Sequence, residues 1–204
     1  MPTVMKIKPF RLQTKFSYPK LRFKSKKIMA DFRNLLIKRR SARKFTTELL
    51  SSDETKTILE AALLSPTSKN KRSWSFIAVE DREMLARLSK CKEHGASFLA
   101  DAALAVVVLG NPLESDVWIE DASIAAINMQ LQAEELGIGS CWVQVRERMF
   151  SETIPATQYV NELLSVPIPL EVLCIIAFGR KEKERNPNDV EKLCWEKVHV
   201  GEYD

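Results

Sequence analysis

Three arginines and a serine fall within five positions, Arg39-Arg40-Ser41-Ala42-Arg43, and no other stretch of the chain is better equipped to hold an anion. A guanidinium is a planar, permanently charged fork of donors and a phosphate offers several acceptor oxygens, so bidentate contacts form readily. The same charges also suit the negative C-terminal end of a helix. On these residues alone both readings stand: an anion site and a solvated basic helix end. A second basic run, Gly179-Arg180-Lys181-Glu182-Lys183-Glu184-Arg185, follows an apolar segment late in the chain. Two such clusters can converge on one phosphate. Between them lies the polar loop Ser65-Pro66-Thr67-Ser68-Lys69-Asn70-Lys71-Arg72-Ser73-Trp74. A loop between a helix and a core strand often carries ligand contacts, although its residue types are also ordinary turn formers.

Other chemistries find little support. His94 and His199 are the only histidines, far apart and outside any H-x-x-x-H spacing, so neither a metal site nor a histidine-based triad is expected. Cys91, Cys141, Cys174 and Cys194 form no C-x-x-C pair and read as free thiols of a reducing compartment. Gly137-Ile138-Gly139 resembles the start of a dinucleotide fingerprint, but Trp142 stands where the third glycine belongs and the order is helix to strand. No G-x-x-x-x-G-K-[ST] loop occurs either, which argues against a nucleotide triphosphatase.

These residues need elements to position them. Phe32, Leu35 and Leu36 have helical spacing after Asp31, so a helix delivers the arginine cluster at its C-terminal end. Ser51-Ser52-Asp53-Glu54 opens a second helix with Ile58, Leu59, Ala61, Ala62 and Leu63 as its apolar face, stopped at Ser65-Pro66. A strand is expected over 75–80, a helix over 82–91, and a strand buried on both faces over 104–109. From Trp118 the longest helix carries Ile124, Ile127, Leu131 and Leu136 at helical spacing, with alanines on its other faces. It is expected to be central and buried. Strands over 140–145 and 171–178 and a helix over 156–164 complete the pattern, which argues α+β.

With 204 residues, 45% hydrophobic and 28% charged, the chain fits one globular domain. No run reaches the roughly 18 apolar residues of a membrane span, and no secretory signal is evident, so a cytoplasmic protein without membrane partners is the expectation. The net charge of +4 is uneven: nine of the 31 basic residues lie in residues 1–28, which hold no acid, and the other 22 face 27 acids. Residues 1–28 therefore read as a basic extension, with three explanations open: a start site misplaced upstream of Met29, a flexible arm, or a patch for nucleic acid or a membrane surface. Nucleic acid is the disfavoured partner, because the remainder of the chain is acidic. Residues 29–204 form the domain.

Taken together, Arg-Arg-Ser-Ala-Arg-Lys-Phe, the Ser-Pro-Thr-Ser-Lys-Asn loop with Trp74 behind it, Leu-Gly-Ile-Gly-Ser-Cys-Trp after the long helix, the strand entering Gly179 and the tail Glu196-Lys197-Val198-His199 occur in an order that resembles the FMN-dependent nitroreductase family. The resemblance implies an α+β sandwich with a mixed central sheet flanked by helices, a long buried central helix and an intertwined homodimer with FMN at its interface.

Carried over residue by residue, the resemblance gives Arg39 and Ser41 the FMN phosphate, with Arg40 beside them, and Arg43 the pyrimidine edge of the flavin. Pro66, Thr67, Ser68 and Asn70 correspond to the loop that reaches the flavin from the other subunit. Gln144 and Val145 correspond to positions near flavin N5, and Gly179 to the turn before late phosphate contacts from Arg180 or Arg185. The family's loop commonly reads Gln-Pro-Trp where this chain has Arg72-Ser73-Trp74, and the proline often found after the late glycine is absent. The implied activity is ping-pong transfer of a hydride from NADH or NADPH, through flavin N5, to an electron-poor small molecule such as a nitroaromatic or quinone. No protein side chain is implied as catalytic. The alternative is an FMN-binding or storage protein of the same fold with little turnover.

Overall fold

The computed structural model describes residues 31–203, so the basic extension over 1–28 lies outside the described residues. Five helices, α1 (Phe32–Lys38), α2 (Ser52–Leu63), α3 (Arg82–Leu88), α4 (Trp118–Glu135) and α5 (Ala156–Leu164), accompany four strands, β1 (Trp74–Val79), β2 (Leu104–Gly110), β3 (Ile138–Gln144) and β4 (Glu171–Arg180). The strands form one sheet in the order β1-β2-β4-β3.

All three strand pairings are antiparallel, with Val107 facing Ile77 on one side and Ile175 on the other. The parallel component expected of a mixed sheet is confined, among the described residues, to one bridge between Ser41 and Ser140, where the arginine segment lies against β3. β2 is buried along its whole length, as a strand covered on both faces must be. On one face, Leu85 and Leu88 of α3 and Val160 of α5 pack with Val107, Cys141 and Ile175. On the other, Ile58 and Ala62 of α2 and Ala122, Ala126 and Met129 of α4 pack with Val106, Val108 and Phe178.

The local signals explain most boundaries. Asp31 accepts from the Arg33 N–H at the start of α1, and Ser51 and Glu54 close a reciprocal capping box at the start of α2. α3 ends at Leu88 rather than continuing to residue 91, and Lys90 and Cys91 instead close tight turns onto the Arg87 and Leu88 carbonyls. β4 runs through Gly179 to Arg180 rather than stopping at Phe178, because β3 pairs with it to that end.

The phase of α4 differs from the expectation. Its buried face is Ala122, Ala125, Ala126, Met129 and Ala133, whereas Ile124 and Ile127 are 39% and 38% exposed. Periodicity alone assigns the bulky residues inward. Here the sheet accepts the small ones, since alanines let a helix axis approach closely, and an isoleucine stripe is left facing out.

Candidate functional site

The arginine segment is not helical. α1 stops at Lys38, Arg39 takes an extended conformation at ψ 119°, and the Leu36 and Ile37 carbonyls at the helix end accept from the Asn188 side chain and backbone. The segment then crosses the ends of β3 and β4. Ala42 N–H donates to the Ser140 carbonyl at 2.9 Å, and Thr46 N–H donates to the Arg180 carbonyl at 2.9 Å.

Side chains alternate in extended backbone. Ala42 is buried against Gly139, while Arg39, Ser41 and Arg43 share the opposite side. The buried Cys141 thiol reports where they converge. Burial pushes its pKa up, and the Arg43 charge, a hydrogen bond with Ser41, and the Arg39 charge each draw it back down.

Two glycines make the crossing possible. A Cβ on Gly139 would lie 2.8 Å from the Ala42 Cβ, and one on Gly179 would lie 2.8 Å from the Phe45 ring. Gly179 is thus a strand residue beneath Phe45, not a turn residue facing a ligand.

The late basic run separates into two roles. Arg180 is turned into the fold, with Nε 3.0 Å from Glu48 and Nη2 2.9 Å from Glu54, so its charge is already matched. Lys181 is likewise spent on the buried Glu134 at 3.0 Å. Arg185 instead comes back over the arginine segment and donates to the Ser41 carbonyl at 3.4 Å, and Arg40 donates to the Asn186 carbonyl at 2.7 Å. Arg40, Arg43 and residues 182–186 border an open cleft of about 630 Å³. Glu182 and Glu184 also stand on its wall, Glu184 pairing with Lys181 at 3.2 Å. Among the described residues no carboxylate forms a salt bridge with Arg39, Arg43 or Arg185.

The remaining sequence candidates lie elsewhere. Val145 is fully buried and its carbonyl accepts from the Arg148 N–H at 3.1 Å, so this candidate presents no accessible group to a ligand. The Gln144 carboxamide accepts from Trp142 Nε1 at 2.9 Å and donates to the Arg146 carbonyl at 2.8 Å, so it is occupied within the chain.

The loop after α2 is tightly shaped. Lys69, Asn70 and Arg72 have φ of 52°, 53° and 53°, and Thr67 Oγ1 accepts from the Arg72 N–H at 3.0 Å. Arg72 Nε donates to Asn70 Oδ1 at 3.1 Å. A guanidinium can only donate, so the Asn70 oxygen must face it and the Asn70 NH2 is the group left to meet a ligand.

Ser68 N–H bonds to Asp121 near the start of α4, whereas Glu134 at its other end meets Lys181. Thirteen residues of helix separate the two contacts, about 20 Å. Within one chain, the loop and the arginine cluster are therefore not brought together.

One charged neighbour escaped the sequence reading. The Lys92 charge also acts on the Cys141 thiol, from a bend that borders another cleft with Ser89, Glu93 and Met149. Burial is the main cause that pushes Lys92 below the ordinary lysine range, with the Arg148 charge adding to it against Cys91. Lys92 sits in a bend after α3 within the mixed-sign run Lys90-Cys91-Lys92-Glu93, which by itself reads as a solvated turn, so the sequence did not single it out.

The family model described as nitroreductase family matches residues 36–180. The chain belongs to the nitroreductase family. A protein of Archaeoglobus fulgidus that carries the provisional name NADH dehydrogenase/NAD(P)H nitroreductase is 33% identical over 82% of this chain and 100% of its own. One of Methanothermobacter thermautotrophicus with the same name is 36% identical over 81% of this chain and 84% of its own. A solved FMN-dependent nitroreductase of Clostridium difficile R20291 superposes with a TM-score of 0.81 at 46% identity, covering 83% of this chain and 98% of that one. All three carry oxidoreductase names, and the arginine segment with its crossing over β3 falls inside the region that the family model matches.

Proposed function

We propose that this nitroreductase-family chain binds FMN and passes electrons from NADH or NADPH to an electron-poor small molecule such as a nitroaromatic or quinone. The observation that carries this reading is the set of guanidinium groups at Arg39, Arg43 and Arg185, gathered around Ser41, none of them in a salt bridge with a carboxylate of the described residues. Unpaired cations held close together repel one another, and a phosphate dianion relieves that cost through charge-assisted hydrogen bonds. The donor set therefore fits the FMN phosphate. Arg39, Ser41 and Arg185 hold it, and Arg40 braces the late segment through Asn186. Arg180 takes no part, because Glu48 and Glu54 already occupy it.

When bound, FMN supplies the two-electron chemistry, accepting reducing equivalents from the nicotinamide and releasing them to the acceptor. The chain supplies binding and electrostatics. Arg43 would face the ring and favour the negative charge that reduction brings. The Asn70 NH2 is the group left to orient the ring, and no side chain need act as a nucleophile.

The assembly is a homodimer. The roughly 20 Å of α4 between its contact with Ser68 and its contact with Lys181 beside the arginine segment supports a site completed by the second copy's loop. The exposed isoleucine stripe on α4 and the exposed tail bearing Trp195, Val198 and Tyr203 are the surfaces that a partner would cover. The test is reduction of the FMN-loaded protein by each nicotinamide without oxygen, followed by addition of a nitroaromatic or quinone. Turnover through the flavin is expected; a protein that holds FMN but leaves the nicotinamide unoxidised would be a carrier instead.

A further inference from the structure

Two polar side chains of α4 grip the loop that follows α2. Asp121 and Asn128 are seven residues apart, so they project from nearly the same face of the helix. Asp121 Oδ1 accepts the Ser68 N–H at 2.9 Å, and the residue is only 4% exposed. Asn128 Nδ2 donates to Ser65 Oγ at 2.8 Å, and that hydroxyl donates on to the Ala61 carbonyl at 2.9 Å.

The stretch that follows these anchors needs holding. Lys69, Asn70 and Arg72 all occupy the left-handed region, where a non-glycine residue costs about 1 kcal/mol or more, and such conformations persist only when the surroundings over-determine them. A buried carboxylate is also an expensive way to stabilise a helix face made of alanine and methionine. Asp121 Oδ2 meets no hydrogen-bond donor among the described residues, so a well-packed apolar side chain would be the cheaper filler at this position. The gain lies in the loop's shape.

We propose that Asp121, supported by Asn128, is a positioning residue that fixes the Pro66–Asn70 loop in the conformation that meets the flavin of the partner subunit, a role that rests on the flavin reading above. The Ser68 N–H is pinned at the first turn of the loop, and Asn70, two residues on, is then presented with its oxygen taken by Arg72 and its NH2 outward. α4 thereby couples the helix that carries the exposed isoleucine stripe to the loop that completes the cofactor site.

The test compares Asp121→Ala, Asp121→Asn and Asn128→Ala in the full chain, by amide exchange at Ser68 without FMN and by FMN affinity and flavin midpoint potential with it. Asparagine keeps an oxygen that can accept from Ser68, whereas alanine does not. Asp121→Ala is expected to speed Ser68 exchange and to weaken FMN binding, each about 10-fold, and to shift the potential; Asp121→Asn restores all three to near wild type. Unchanged exchange, affinity and potential in Asp121→Ala would overturn the proposal, as would an asparagine variant as defective as the alanine one. If Asp121→Ala does not fold, Asn128→Ala decides: faster exchange at Ser68 with an unaltered unfolding midpoint supports the anchor, and unaltered exchange refutes it. A wild-type protein that takes up no FMN would end the flavin reading, while the exchange comparison in FMN-free protein would still judge the anchor.

Discussion

Arg180 and Arg185 show how little a charge count says about a site. Five residues apart on one basic run, the first is consumed by two carboxylates and the second lies over Ser41. Arg39→Ala and Arg185→Ala should therefore each weaken FMN binding by about 10- to 100-fold, the worth of a charge-assisted hydrogen bond, measured by fluorescence titration. Arg180→Ala should leave FMN affinity within about 2-fold and lower unfolding stability by about 1–2 kcal/mol, because it strips the partner from the partly buried Glu54. Arg43→Ala should lower the flavin midpoint potential more than Arg39→Ala does. The thiols divide as sharply. Burial pushes Cys91 up to about 11 and raises Cys141 and Cys174 as well, whereas Cys194 is exposed. A thiol reagent at neutral pH should modify Cys91, Cys141 and Cys174 only on unfolding.

The elements were the most legible part of the chain, because their signals are local. The capping residues Asp31 and Ser51, the uninterrupted Leu104–Leu109 run and the stop at Ser65-Pro66 each act through neighbours a few residues away, and each marks the boundary that the structure has. What the sequence hid was long-range: the antiparallel order of the strands, the inward phase of α4 set by how closely the sheet lets it approach, and the path of Arg39–Arg43 across the ends of β3 and β4. Within the site, the arginines were visible as a cluster at a helix end, but Asp121 and Asn128 were not, since they acquire their roles only from residues 53 and 63 positions away. The α2 cap yields a direct test. Ser51→Ala should cost about 1 kcal/mol in denaturant unfolding. Glu54 is held below the ordinary carboxylate range first by the Ser51 N–H, against burial, and further by the Ser51 hydroxyl and Arg180. Its folded pKa is thus depressed, so its contribution is complete above about pH 4.5 and is lost as the pH falls through the folded value; Ser51→Ala should shrink that acid-dependent loss. Gly179→Ala should destabilise by about 1–3 kcal/mol, because its methyl would press on the Phe45 ring.

In the proposed homodimer each copy contributes half of a site. No helix among the described residues is long and apolar enough to cross a membrane. On that proposal a second copy of this chain covers the exposed apolar stripe of α4 and completes the site. Ile127→Glu should therefore yield a monomer by sedimentation and lose FMN at the same time, although Ile127 is on a different element from every phosphate-binding residue. A monomer that keeps FMN would contradict the shared site. Whether the arginine cluster holds a redox-active FMN is read most directly from the absorption spectrum of the purified protein, with FMN added and then titrated anaerobically with NADH or NADPH. A bound-flavin spectrum that bleaches with one nicotinamide per flavin and returns on adding a quinone or nitroaromatic is expected. A colourless protein whose addition leaves the spectrum of free FMN unchanged would contradict it.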